Sequence, residues 1–74
     1  MTTHVFTALV QKEGKVWVAL CPELDVASQG DTVEEARANL REAVELFLES
    51  ASKSEIRSRL HSETYSSRLE VKVE

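Results

Sequence analysis

Acidic side chains between positions 23 and 35 form the densest group of candidate catalytic residues: Glu23, Asp25, Asp31, Glu34 and Glu35. Carboxylates hold the paired metal ions of many phosphodiester-cleaving enzymes, so the cluster allows nuclease chemistry. A structural role competes with that interpretation, because a turn and a helix N-terminus both favour acidic residues at positions 31, 34 and 35. We therefore expect no catalytic, metal-binding or cofactor-binding residue here, with a metal-dependent nuclease as the alternative.

The one cysteine, Cys21, is a candidate nucleophile. Both histidines, His4 and His61, lie far from it in sequence, and an unpaired small thiol is commonly a buried apolar residue. A structural zinc site needs about four ligands, and a disulfide within the chain needs a second cysteine. We expect a buried thiol at position 21, surface histidines, no metal and no enzyme activity.

The overall charge argues against nucleic-acid binding. The formal net charge is −4 and the pI is about 5.1, whereas nucleic-acid surfaces cluster Lys and Arg. A modest basic stretch comprises Lys53, Arg57, Arg59, His61 and Arg68, but acidic residues interleave with it, which favours a solvated surface. Trp17 is either an interface anchor or a core residue.

Apolar patterning predicts the elements that position these residues. Alternating or β-branched runs predict strands, and the spacing of apolar residues after Thr32 predicts a helix of about 18 residues. The order is β-β-β-α-β, with strands at Thr3–Gln11, Val16–Cys21, Leu24–Gln29 and Ser67–Glu74 and the helix ending near Ser50. Ser54 is a candidate cap for a short turn through Leu60.

The helix start has a clear signature. Thr32 is a favourable N-cap, and Glu35 three residues later completes a capping box. A right-handed crossover after three antiparallel strands gives the sheet order 3-2-1-4, with the helix on one face. The sequence therefore predicts an α+β fold and one domain spanning residues 1–74.

The first two strands are apolar on both faces. With Glu13-Gly14 as a two-residue hairpin loop, Val10 pairs with Trp17. We expect the face that carries Phe6 and Trp17 to meet the helix. The opposite face is then left for a partner or a second copy, and its apolar residues are Val5, Leu9, Val16 and Val18.

The small size of the chain favours self-association. A domain of about this length buries only about 60% of its unfolded surface, and small domains compensate with disulfides, metals or oligomers. Since we expect neither a disulfide nor a bound metal, we predict a homo-oligomer. No signal peptide or apolar span of about 20 residues is visible, so we expect a cytoplasmic protein without a membrane partner.

A run of short motifs resembles the HicB-type antitoxin family. The matching pieces are Cys21-Pro22-Glu23-Leu24, Ser28 to Thr32, Glu34-Glu35-Ala36, Asn39-Leu40 and Glu42-Ala43, with Trp17-Val18-Ala19 upstream. The resemblance covers residues 3 to 50, and the order of about a dozen matched positions makes it fairly specific.

The resemblance implies a partial ribonuclease-H-like fold and an antitoxin that binds HicA toxins, which are small RNA-cleaving proteins. Many members also carry a C-terminal DNA-binding domain, which we do not expect here. Asp25-Val26 stands where many members have Pro-Gly. Ribonuclease-H enzymes usually place an acid on the first strand, but residues 5–10 carry none. We expect a toxin-binding protein; the alternatives are a divergent nuclease and an oligomeric adaptor.

Overall fold

The computed structural model describes residues 4–60 and 67–73. A three-stranded antiparallel sheet precedes two helices, which confirms the predicted α+β class. The elements are β1 (Leu9–Glu13), β2 (Val16–Cys21), β3 (Val26–Gly30), α1 (Val33–Ser50) and α2 (Lys53–Leu60). The strands lie in the order β1-β2-β3.

The β1–β2 hairpin turns one residue later than the sequence predicted. Glu13 pairs with Val16, so the loop is Gly14-Lys15, and Val10 pairs with Ala19 instead of Trp17. Gly14 has φ +61°, as a type II′ loop requires of its first residue. The register moves by two residues, which leaves every side chain on its predicted face.

Helix α1 begins as predicted. The Thr32 backbone is extended, and its Oγ1 accepts a 3.0 Å hydrogen bond from the Glu35 N–H. Asn39, part of the family-like pattern, donates from Nδ2 to the Gln29 carbonyl at 2.8 Å. The cap fixes where the helix starts, and the Asn39 bond ties it to the end of β3.

The core lies between α1 and the sheet face that was predicted to meet the helix. Trp17 and Phe6 pack against this cluster as half-buried residues. The fully buried members come from the helix, from β2 and from the β2–β3 turn: Ala19, Cys21, Leu24, Ala36, Leu40 and Val44.

The β2–β3 connection differs from the predicted strand at Leu24–Gln29. Residues 22–25 form a turn, and β3 begins only at Val26. Leu24 turns inward and is 0% exposed, while Asp25 has φ 55°. Asp tolerates this left-handed conformation, but proline, held near −65°, could not adopt it. The turn therefore takes a different course from a Pro-Gly sequence at the same place.

Helix α2 extends the short turn predicted in this region. Its N-terminus is capped by Ser52, not Ser54, because the Ser52 Oγ accepts a 3.1 Å hydrogen bond from the Glu55 N–H. Arg59 donates to the Leu24 carbonyl oxygen and stacks 4.6 Å from the centroid of the Phe47 ring. These contacts dock α2 against α1 and the β2–β3 turn.

The fourth predicted strand is not formed in the single chain. Residues 67–73 have no regular secondary structure and are all exposed. Residues 4–8, which the sequence assigned to the first strand, are also unpaired. A strand requires a neighbouring strand to accept and donate its backbone hydrogen bonds. Residues 4–8 and 67–73 were predicted to be neighbours, and in the single chain they do not pair with each other. Thr3 and Glu74, the outer limits of the two predicted strands, lie outside the described residues.

No helix in residues 4–60 or 67–73 has the length and apolar character needed to cross a bilayer.

Candidate functional site

An open groove runs between residues 4–8 and one flank of α1. Its volume is about 800 Å³. The groove exists because α1 packs mainly on β3 and β2 and only slightly on β1. Its apolar lining comes from both walls and from the buried thiol: Val5, Phe6, Ala8, Cys21, Val33, Ala38, Leu40, Val44 and Leu48.

Charged side chains of α1 form the rim of this groove. Glu34, Arg37, Arg41 and Glu45 all line it, and all four are exposed. The Arg41 Nε lies 3.1 Å from the Glu45 Oε1. An apolar channel with a solvated, mixed-charge rim is suited to a peptide segment that has one apolar face.

Glu23 fixes the outer wall of the groove. Its Oε1 and Oε2 accept hydrogen bonds from the Thr7 N–H at 3.1 and 2.9 Å, and Oε2 also accepts one from the Thr7 hydroxyl at 2.7 Å. This carboxylate therefore anchors residues 4–8 to the β2–β3 turn.

The electrostatics of Glu23 and Cys21 follow from this arrangement. Burial by itself would raise the pKa of the Glu23 carboxyl, but hydrogen bonds from Thr7, the local backbone and Cys21 outweigh it and lower that pKa. Burial, reinforced by the nearby Glu23 charge, raises the pKa of the Cys21 thiol. Cys21 is thus a buried, protonated thiol and a poor nucleophile.

Substituting Glu23 with glutamine should remove a pH-dependent part of the stability. Because folding lowers the Glu23 pKa, its contribution is present above the ordinary glutamate value of about 4.3 and is lost as pH falls through the folded-state value. We expect Glu23→Gln to cost about 1 kcal/mol at pH 7, the usual worth of such bonds, and less below pH 4. Thermal melts from pH 3 to 7 measure this.

The matched control for that experiment is Glu42→Gln on the exposed side of α1. It removes the same charge without a hydrogen bond to residues 4–8. Equal losses of stability for the two variants at pH 7 would contradict the anchoring role of Glu23.

The acidic cluster does not assemble into a metal site in the described part of the chain. Glu23 is engaged with Thr7, Glu34 and Glu35 occupy the first turn of α1, and Asp25 and Asp31 are exposed. Across residues 4–60 and 67–73, no group of three or more His, Cys, Asp or Glu residues could hold a metal ion.

The other candidate residues have local packing roles. His4 is exposed, and its ring stacks 6.2 Å from that of Phe6. Trp17 packs against the core, and the Lys12 Nζ lies 5.9 Å from its ring. Arg59 of the basic stretch docks α2, while Lys53 and Arg57 are exposed and His61 lies outside the described residues.

The residues predicted to form a partner face divide between two surfaces. Val5 lines the groove. Leu9, Val18 and Leu20 line a hollow on the side of the sheet opposite α1, with Gln11 and Glu13 at the β1 end of its lining, and Val16 shares that side by strand alternation. Leu9 is 50% exposed. We call Leu9, Val16, Val18 and Leu20 the outer face; the alternation of β2 places Leu20 on this side, although it was not among the residues predicted to form the partner face.

The groove itself was not predicted from the sequence. It depends on where α1 crosses the sheet and on the bond between Glu23 and Thr7, which are 16 positions apart. The one sequence signal that could have indicated it is the apolar alternation of the last predicted strand, because a strand with one apolar face needs an apolar surface to cover that face.

Two proteins of Synechocystis sp. strain PCC 6803 are similar to part of this chain. UPF0150 protein ssl0738 is 44% identical over 46 residues, covering 58% of this chain and 62% of that protein. UPF0150 protein ssr1765 is 49% identical over 47 residues, covering 61% and 60%. The chain thus spans less than two thirds of the length of these curated relatives. No family model and no solved structure matches it.

Proposed function

We propose that this chain is a binding domain of the HicB antitoxin type, which docks on a HicA-type RNA-cleaving protein and blocks its RNA-binding surface. The observation that carries the proposal is the outer face, an apolar sheet surface on the side away from α1 on an acidic chain. The run of motifs from Cys21 to Phe47 supports the same class of protein.

Charge favours a partner of this kind. A protein that grips RNA neutralises phosphates with Lys and Arg and is therefore basic where it binds. The net charge of −4 on this chain attracts such a surface and speeds encounter. Glu13, at the end of β1, lines the hollow of the outer face and adds an acidic group there. The charges speed the encounter with the partner, and the apolar side chains of the outer face supply the contact area that is buried in the complex.

The proposal includes a four-stranded, partial ribonuclease-H-like core with the order 3-2-1-4. Two features support it. Helix α1 leaves the β1 side of the sheet open, and residues 67–73 alternate apolar and polar side chains as a half-buried strand does. The fourth strand would lie beside residues 4–8, along the groove.

Changing Val18 to glutamate should weaken toxin binding without affecting the helix side of the domain. A carboxylate at the centre of the outer face would be desolvated against the partner, and we expect the Kd to rise at least about tenfold, or 1.4 kcal/mol. Where a HicA-type protein is encoded beside this gene, titration calorimetry against that protein measures the change.

The control for this variant is Leu46→Glu, which introduces the same charge at a 57% exposed apolar residue on α1. It should bind like the unchanged chain. The proposal fails if the gene has no such neighbour, if the folded chain does not bind that protein, or if Leu46→Glu weakens binding as much as Val18→Glu.

A further inference from the structure

We propose that the groove beside α1 is filled by residues 67–73 of a second copy of this chain, in a reciprocal strand-exchanged dimer. Within one chain, the groove is not filled by residues 67–73, and the apolar side chains of that segment are exposed. This inference rests on the proposed four-stranded sheet but not on toxin binding, so the two can fail separately.

The segment has the pattern of a strand but no partner. Leu69, Val71 and Val73 alternate with Arg68, Glu70 and Lys72. The three apolar side chains are 87%, 65% and 90% exposed. Polar residues that alternate with apolar ones indicate a strand with one buried face and one solvated face. In the single chain, most of that apolar face is exposed to water.

The groove presents an edge that such a strand could join. Residues 4–8 make no backbone–backbone hydrogen bond within the described part of the chain. The Thr7 N–H is taken by Glu23, so in extended backbone the N–H groups of Phe6 and Ala8 point the other way, toward the open edge. An added strand would satisfy these donors, as in recognition by β-augmentation.

The dimensions of the two surfaces agree. The lining contributed by α1 runs from Val33 to Leu48, which is about 22 Å at 1.5 Å per residue. Residues 67–73 as a strand span about 20 Å at 3.3 Å per residue. Leu69, Val71 and Val73 would then lie over the apolar floor, with Arg68, Glu70 and Lys72 facing water.

A second copy fits the shape of the chain better than folding back within one copy. The radius of gyration is 14.4 Å, whereas a compact chain of 74 residues would have about 11 Å. Residues 67–73 are exposed, and none of them lines the groove of their own chain. In a reciprocal exchange, residues 67–73 of each copy fill the groove of the other. Both copies then bury more apolar surface than one short chain can bury alone.

Sedimentation equilibrium tests the dimer. The unchanged chain should sediment at twice its 8.3 kDa mass, and Val71→Asp should raise the dimer Kd roughly a hundredfold, because a buried charge enters the interface twice. Lys72→Asp, on the solvated face of the same segment, is the matched control and should remain dimeric. Both positions are exposed in the single chain, so both variants should fold.

Paramagnetic labelling tests the exchange. A spin label on Val73→Cys in an unlabelled chain, with Cys21→Ala, is mixed with a ¹⁵N-labelled chain. Broadening of the ¹⁵N amide signals of residues 5–8 and of Ala38 in the mixed sample supports the proposal. A monomeric unchanged chain, equal effects of Val71→Asp and Lys72→Asp, or broadening seen only when label and ¹⁵N share one chain would each overturn it.

Discussion

Replacing Gly30 with alanine should cost the domain most of its stability. A Cβ at this position would lie 2.6 Å from the Ala36 backbone N and 2.8 Å from the Glu35 carbonyl carbon. Both are backbone atoms in the first turn of α1, so neither can move away without displacing the start of the helix from β3. We expect a loss of about 3 kcal/mol or more, at or beyond the upper end for overpacking. Urea unfolding followed by circular dichroism measures it.

The matched control is Gly14→Ala in the β1–β2 loop. Gly14 has φ +61° and no atom within 4 Å of a built Cβ, so the substitution carries only the conformational cost of a left-handed residue, about 1–2 kcal/mol. Similar urea midpoints for the two variants would show that the Gly30 contact with α1 is looser than its geometry indicates.

Truncating Leu24 should produce the second large loss of stability. This side chain is 0% exposed and is the largest fully buried one in the described part of the chain. Leu→Ala at such a site removes apolar contact and leaves a cavity, at about 2–5 kcal/mol. The substitution also loosens the turn that carries Glu23, so the anchor on Thr7 should weaken with it.

Leu46→Ala is the control for Leu24→Ala, since it makes the same truncation at an exposed site on α1. We expect it to change the free energy of unfolding by less than about 0.5 kcal/mol. If Leu24→Ala were equally mild, the β2–β3 turn would not be part of the core.

The Cys-Pro-Glu-Leu stretch at positions 21–24 has a structural role. Cys21 and Leu24 fill the core, and Glu23 binds Thr7. The motif therefore positions the groove wall by packing and hydrogen bonding, and its thiol has a raised pKa unsuited to attack. Cys21, Glu23 and Leu24, in the part of the chain that resembles the HicB-type antitoxins, thus all have packing or hydrogen-bonding roles.

Local patterns predicted much of the fold. The Thr32 cap, the α1 span and the sheet face that meets the helix all depend on neighbours within a few residues or on strict alternation. The hairpin register was wrong because Gly14 fits either position of a two-residue loop, and only the observed pairing distinguishes them. The same alternation that selected Val18 also places Leu20 on the outer face.

Long-range contacts could not be predicted in this way. Glu23 and Thr7 are 16 positions apart, and Arg59 reaches a carbonyl 35 positions away, with no periodic signal at either distance. The last strand was predicted from its alternation, yet alternation indicates only that a segment can pair. Whether it pairs depends on an available edge, and for residues 67–73 we infer that this edge belongs to another copy.

An RNA-cleavage titration tests the proposal that this chain neutralises an RNA-cleaving partner. The cognate HicA-type protein, sought beside the gene for this chain, is incubated with a fluorogenic RNA and rising amounts of the chain. We predict that cleavage falls in proportion to added chain and stops at a fixed stoichiometric ratio, while Val18→Glu requires a large excess. Undiminished cleavage in the presence of excess folded chain would contradict the account.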